Sequence, residues 1–213
     1  MSKIYLEILD EPRQKIFAQL KTLTGCYLAG GTALALQIGH RLSVDFDIFL
    51  KKSFVRRTLI NQCRRLFGQI QVIQENNDQI TFTTPQHIKL DFVNYPYLPI
   101  FPLVKTNSLP LASVNEIAAD KASTIGQRAT WRDYVDIFFL LKDRHVNLSE
   151  IISSAKQKFS GEFNEVLFCE QLVYFKDLEV VPIEFIQQTY SETEIKNFLE
   201  VQVNQFLKQN LKI

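Results

Sequence analysis

The sequence predicts an α+β chain: a mixed sheet with flanking helices up to about residue 95, then a helical C-terminal region. Three observations carry this. Apolar–polar alternation, the two-residue period of a strand, recurs in "SVDFDIFLK", "QIQVIQEN", "QITFTTP" and "HIKLDFVNY". A stretch without strong period follows, punctuated by Pro96, Pro99, Pro102 and Pro110. Beyond it the apolar residues return at helical spacing. The division expected is residues 1–110 for the core and 111–213 for the helical region.

Residues 11–23 read as the first helix. Asp10 is its N-cap region, Pro12 fits the first turn, and Ile16, Phe17, Leu20 and Leu23 form the stripe. "CYLAGG" is a short apolar strand that ends in glycines. "TALALQIG" is a helix opening at Thr32 and stopped by Gly39. "SVDFDIFLK" puts Val44, Phe46 and Ile48 on one face, and Asp45, Asp47 and Phe49 on the other. Residues 53–67 form an amphipathic helix with Val55, Leu59, Cys63, Leu66 and Phe67 on its apolar side. The last three strands, joined at "NND" and at Thr84-Pro85, suggest an antiparallel meander. Pro96 to Pro110 reads as a connector. Ser113 and Glu116 then make a capping box for the next helix. "WRDYVDIFFLLK" follows with Tyr134, Ile137, Phe138 and Leu141 inward, and helical patterns also fit 148–159, 161–175 and 191–209.

Composition excludes several classes. At 213 residues, 46% hydrophobic and 22% charged, the chain can bury a sizeable core. A net charge of +1 is not that of a strongly basic nucleic-acid binder, so a charged partner would be met by local patches. Cys26, Cys63 and Cys169 are widely separated, odd in number and form no CxxC pair, which suggests neither a disulfide framework nor a zinc site. Cys26 and Cys63 sit in apolar patterns, where buried inert thiols are the default. Charges interrupt the N-terminus where a signal peptide needs an apolar core, and no apolar run approaches the roughly 20 residues of a membrane span. The expectation is a soluble cytoplasmic protein.

The chemistry concentrates in "LAGGTALALQIGHRLSVDFDIF", residues 28–49. Asp45 and Asp47, two apart on a strand, point the same way and can reach one or two divalent cations. Such ions can clamp the attacking and leaving oxygens of a phosphoryl or nucleotidyl transfer. The plainer reading is the solvent face of an edge strand. Gly30-Gly31 before a helix leaves backbone N–H groups free for an anion such as phosphate, or simply makes a tight turn. Asp91, inside the apolar strand of "IKLDFVN", is costly unless it meets a metal or a nearby Lys or Arg. His40 and Arg41 follow the helix stop and either reach phosphate or form a surface loop pair. His87 and His145 have no partners at metal-ligand spacing.

The first motif, with "KLDFV" and "DKASTIGQRATWRDYVDIFFLL", resembles the AbiEii/AbiGii-type nucleotidyltransferase toxins. These lie within the polymerase-β-like nucleotidyltransferase superfamily. The three blocks run in that order over residues 28–141. The resemblance implies a polymerase-β-like nucleotidyltransferase core. It implies that Gly30, Gly31 and Thr32 cradle the nucleotide's phosphates, with Ser43 and Arg41 beside the triphosphate. Asp45, Asp47 and Asp91 would bind Mg²⁺, for which Mn²⁺ can substitute. Lys121 would contact phosphate, and Asp133 or Asp136 would lie near the site. Taken by themselves, Asp133 and Asp136 share a helix face beside Arg132 and could equally hold helices together.

The function expected is a Mg²⁺-dependent nucleotidyltransferase that moves NMP from an NTP to an acceptor hydroxyl. The acceptor implied is RNA, at a tRNA 3′ end, and the protein would be the toxin partnered by a small cognate antitoxin. Alternatives are a small-molecule or protein acceptor, or a non-catalytic nucleotide- or RNA-binding module. Lys51, Lys52, Arg56, Arg57, Arg64 and Arg65 form the one concentrated basic region, readable as an RNA track or as a solvated helix face. Phosphorylation of Ser43 would place negative charge beside Asp45 and Asp47 and repel a triphosphate.

Overall fold

The structure is a computed structural model and describes residues 3–51, 55–128 and 130–210. It divides into two compact units, residues 1–113 and 114–213. Lys52 and the expected start of the basic helix at residue 53 lie outside the described residues.

The first unit runs α1 (Glu11–Leu20), β1 (Cys26–Ala29), α2 (Gly30–Ile38), β2 (Phe46–Leu50), α3 (Arg56–Phe67), β3 (Gln71–Glu75), β4 (Gln79–Thr83) and β5 (Lys89–Asn94). Asp10 caps α1, its Oδ1 accepting the Arg13 N–H at 2.9 Å. The five strands lie in the order β1-β2-β5-β4-β3. β1 and β2 are antiparallel, β2 and β5 parallel, and β5, β4 and β3 form the expected antiparallel meander.

Register assigns each face of the sheet. Leu28, Ile48, Phe92 and Ile80 form one cross-strand row, and Phe46, Leu90 and Phe82 the next; none of these side chains reaches solvent. Their burial is the largest stabilising term here, at about 1.5–3 kcal/mol per large apolar side chain. The opposite face carries the row Ala29, Asp47, Asp91 and Thr81. Strand alternation therefore puts the core on one side of the sheet and the carboxylates on the other.

Several boundaries differ from expectation. β1 ends at Ala29 and α2 already starts at Gly30, because Gly30 takes a left-handed φ of +65° that turns the chain directly into the helix. β2 starts only at Phe46, so Ser43, Val44 and Asp45 precede it; Val44, expected to share a face with Phe46 and Ile48, is exposed while those two are buried. Val55 is the exposed N-cap of α3 rather than part of its apolar face. The segment after β5 is more than a connector. Leu28 donates its N–H to Pro110 at 2.9 Å, and Ala112 donates to Leu28 at 2.8 Å, so this segment covers the free edge of β1.

The second unit contains α4 (Val114–Arg128), α5 (Trp131–Lys142), α6 (Leu148–Phe159), α7 (Glu165–Leu172) and α8 (Glu192–Asn210). α4 packs against α5, α6 and α7, and α8 against α5, α6 and α7. α5 is buried almost all round, and the Phe138 ring meets those of Phe139, Tyr190 and Phe198 edge-on at 4.9–5.2 Å. The helical pattern at 161–175 resolves into a short turn at Ser160–Glu162 and then α7. Ser160 takes a left-handed φ of +48°, which breaks the helix, and Asn164 restarts it by accepting the Leu167 N–H at 3.0 Å.

Candidate active site

The site in the first unit is built at the junction of β1 and α2 with β2 and β5. Gly30 is half-exposed at the start of α2, and Ala29 before it offers no capping side chain. The N-cap side chain thus satisfies none of the first-turn N–H groups of this nine-residue helix, and the positive end of the helix dipole lies at Gly30. Asp47 lies against that turn. A Cβ at position 30 would come within 2.1 Å of Asp47 Oδ2, so only glycine leaves room for the carboxylate.

Thr32 and Ser43 lock the approach to β2. The buried Thr32 hydroxyl donates to the Asp45 carbonyl and shares a 2.7 Å hydrogen bond with the Ser43 hydroxyl. This ties the first turn of α2 to the residue that carries one of the two aspartates. Ser43 is itself buried, so phosphorylating it would require this lock to open. His40 and Arg41 are buried as well, which corrects their reading as a surface loop pair; Arg41 Nη1 donates to the Leu42 carbonyl at 3.0 Å.

Asp45 and Asp47 are both half-buried. Asp91 is the register partner of Asp47 and is buried at 4% exposure. Its Oδ1 accepts from the Thr81 hydroxyl and from Gln79 Nε2 at 3.1 Å, and its Oδ2 pairs with Lys89 Nζ at 2.6 Å. The partner anticipated for a buried carboxylate is thus a lysine two residues away on the same strand face. Burial opposes the Lys89 charge. The hydrogen bond it donates to Asp91 and the fields of Asp91, Asp45 and Asp47 more than offset it and raise the ammonium's pKa. Lys89, Thr81 and Gln79 were not singled out in the sequence. Same-face spacing from Asp91 could have found Lys89, whereas Thr81 and Gln79 needed the pairing of β4 with β5.

A divalent cation suits this donor set. Asp47, in the cross-strand row, and Asp45, just before β2, are hard oxygen ligands, and an ammonium already rests in the field of all three carboxylates. Among the described residues no three His, Cys, Asp or Glu side chains form a ready-made cage, so phosphate and water would complete the shell.

In the second unit, Lys121 on α4 is buried between two carboxylates of α5: Asp136 Oδ2 at 2.6 Å and Asp133 Oδ1 at 2.8 Å. Burial opposes both charges, but the pairing wins. Lys121 is held above the ordinary lysine value and Asp133 below the usual carboxylate range. Asp133 also caps α5, its Oδ2 accepting the Thr130 N–H at 2.9 Å and the Thr130 hydroxyl at 2.8 Å. The pattern Thr-x-x-Asp signals that cap in the sequence. A second buried lysine, Lys158 of α6, pairs with Glu116 and Asp120 of α4.

On α3, Leu59, Cys63 and Phe67 face inward, while Arg56, Arg57, Arg64 and Arg65 are exposed. Arg56 reaches the β3–β4 hairpin, pairing with Glu75 at 3.1 Å and donating to the Asn76 carbonyl at 2.6 Å. Burial pushes the Cys26 thiol up to about 11 and Cys63 up to about 12, which keeps both protonated and inert.

Comparison with known proteins follows the same line. The family model described as "Nucleotidyl transferase AbiEii toxin, Type IV TA system" matches residues 17–211. The protein aq_aa25 of Aquifex aeolicus (strain VF5) is 32% identical over 187 residues, covering 85% of this chain and 88% of that protein. JHP933 from Helicobacter pylori superposes with a TM-score of 0.62 at 20% identity, over 98% of this chain and 95% of that one. MenT4, a nucleotidyltransferase toxin of Mycobacterium tuberculosis H37Rv, superposes with a TM-score of 0.61 at 14% identity, over 90% of this chain and 80% of that one. At these identities the two solved structures speak to the fold.

Proposed function

The chain belongs to the AbiEii family of nucleotidyltransferase toxins from type IV toxin–antitoxin systems, and from that premise we propose that it moves NMP from an NTP to a hydroxyl of RNA, at a tRNA 3′ end. The nucleotidyltransferase activity, the NTP substrate and an antitoxin partner come with the family. The acceptor, the metal and the residue roles are the proposal. The observation that carries it is the meeting of two features: the N-terminus of α2 at Gly30, whose N-cap Ala29 supplies no side-chain cap, and the Asp47 carboxylate pressed against it, with the Asp45 backbone tied to the same turn by Thr32.

The triphosphate lies with its anionic oxygens at the N–H groups of Gly30 and Gly31, where the helix dipole favours negative charge. Thr32 keeps this turn and the Asp45 backbone in one rigid piece. Ser43 is joined to the same turn through the Thr32 hydroxyl, and Arg41 is buried two residues before it. Asp45 and Asp47 would hold Mg²⁺, or Mn²⁺ in its place, which when bound neutralises charge on the triphosphate. The acceptor oxygen attacks the α-phosphorus; the α–β bridging P–O bond breaks, pyrophosphate leaves and the hydroxyl proton passes to water. Catalysis of this kind is mostly positioning and electrostatic stabilisation. Lys121, expected to contact phosphate, is held within the second unit by Asp133 and Asp136.

The test is incorporation of each labelled NTP into purified tRNA, with bulk protein and small hydroxyl compounds offered in parallel. Label in tRNA with equimolar pyrophosphate is the expected result. Label in protein alone would replace the acceptor. Pyrophosphate-free binding would replace the activity with a nucleotide-binding role. No helix among the described residues is long and apolar enough to cross a membrane, and the proposal needs none.

A further inference from the structure

We propose that Lys89 is the resident cation of the carboxylate set, so that the set takes a single divalent cation, at Asp45 and Asp47, rather than two. This rests on the metal-binding reading of that face and sharpens it.

The hydrogen-bond inventory of Asp91 comes first. Oδ1 accepts from the Thr81 hydroxyl and from Gln79 Nε2, and Oδ2 accepts from Lys89 Nζ at 2.6 Å. Both oxygens are thus engaged inside the protein. Charge-assisted bonds to a carboxylate are roughly twice as strong as neutral ones, so a metal approaching Asp91 would compete with the lysine for Oδ2. Asp91 therefore acts as the anchor of an ammonium.

The position of that ammonium is the second point. Phe46 is level with Leu90 and Asp47 with Asp91. Lys89 opens β5 one residue before the Phe46–Leu90 pair, beside the segment that enters β2 through Asp45. The ammonium consequently sits where the three carboxylate fields overlap. Its side chain is 42% exposed, so it borders the same open face as Asp45 and Asp47.

Charge balance is the third. Three carboxylates and one ammonium leave two net negative charges, which one divalent ion neutralises. A second ion would have to displace Lys89 from Asp91 and leave it beside a cation of like charge.

Titration of the full chain with Mn²⁺ alone, read by calorimetry and by the EPR signal of free Mn²⁺, tests this without turnover. Wild type is expected to bind one Mn²⁺; two ions would overturn the proposal with no variant needed. Lys89→Met is expected to bind a second ion, or the first about tenfold more tightly, as a like charge is removed from the site. Unchanged stoichiometry and affinity would overturn it. Lys89→Arg keeps the charge and is expected to match wild type; behaviour like Lys89→Met would count against it. Circular dichroism checks the fold of each variant, and Lys89→Gln replaces Lys89→Met if that one does not fold. Asp45→Asn with Asp47→Asn separates the two levels. If that pair loses Mn²⁺ while Lys89→Met is unchanged, only the role of Lys89 falls. If the pair binds as wild type does, the metal reading falls with it.

Discussion

A single glycine decides the geometry of the site. Gly30 combines a left-handed φ of +65° with contact to Asp47 so close that any side chain would displace the carboxylate. Gly30→Ala should therefore act twice. It should cost about 1–3 kcal/mol of stability through backbone strain, visible as a lowered melting temperature. It should also abolish nucleotidyl transfer by pushing Asp47 out of the row. A variant that melts lower but transfers at the wild-type rate would show that the carboxylate can move without consequence. Thr32 works at the same scale from the other side of the turn. Removing its hydroxyl frees the Asp45 carbonyl and deprives Ser43 of its partner, a loss of about 1–3 kcal/mol for buried polar groups.

Between helices, buried charge is paired. Lys121 joins α4 to α5 through Asp133 and Asp136. Because Asp133 is held below the usual carboxylate range, this clasp stabilises the fold above the unfolded-state value near pH ~4 and is lost as pH falls through the folded value. Lys121 is shifted upward, so its share is complete below the ordinary lysine value of 10.5 and is lost as pH rises through the folded value. Asp133→Asn should be less stable than wild type near neutral pH, and the gap should narrow as pH falls below the ordinary carboxylate value and through the lowered folded one. Urea unfolding followed through Trp131, the single tryptophan, buried two residues away on α5, reads this directly. A gap that persists in acid would assign the loss to the helix cap instead. On α3 the exposed arginines make a separate prediction. Reversing Arg57 and Arg64 to Glu should weaken tRNA binding and leave NTP binding intact, because both are exposed and neither is seen in an ion pair among the described residues as Arg56 is. Equal tRNA affinity in a filter-binding assay would make α3 a solvated face.

For the whole molecule, local pattern showed more in the sequence than pairing did. The meander was legible because β3, β4 and β5 follow one another with turn residues between them. The parallel pairing of β2 with β5 was not, since about forty residues separate them and no local signal encodes the register. That register sets Asp47 level with Asp91. The sequence offered a metal or a lysine for Asp91, and only the coordinates show Lys89, Thr81 and Gln79 around it. Asp45 read as a strand residue because the alternation continues through it, but the Thr32 hydroxyl takes its carbonyl before β2 begins. The helical pattern at 161–175 is realised in its middle as α7, because Ser160–Glu162 form a separate short turn and the Asn164 cap sets the start at Glu165, a boundary that periodicity does not show. The central claim is that Asp45 and Asp47, set against the start of α2, form the catalytic half-site. Transfer of labelled NMP to tRNA by wild type and by the Asp45→Ala, Asp47→Ala double variant tests it most directly. The account predicts label and pyrophosphate from wild type and neither from a folded double variant. Undiminished labelling by the double variant would contradict it.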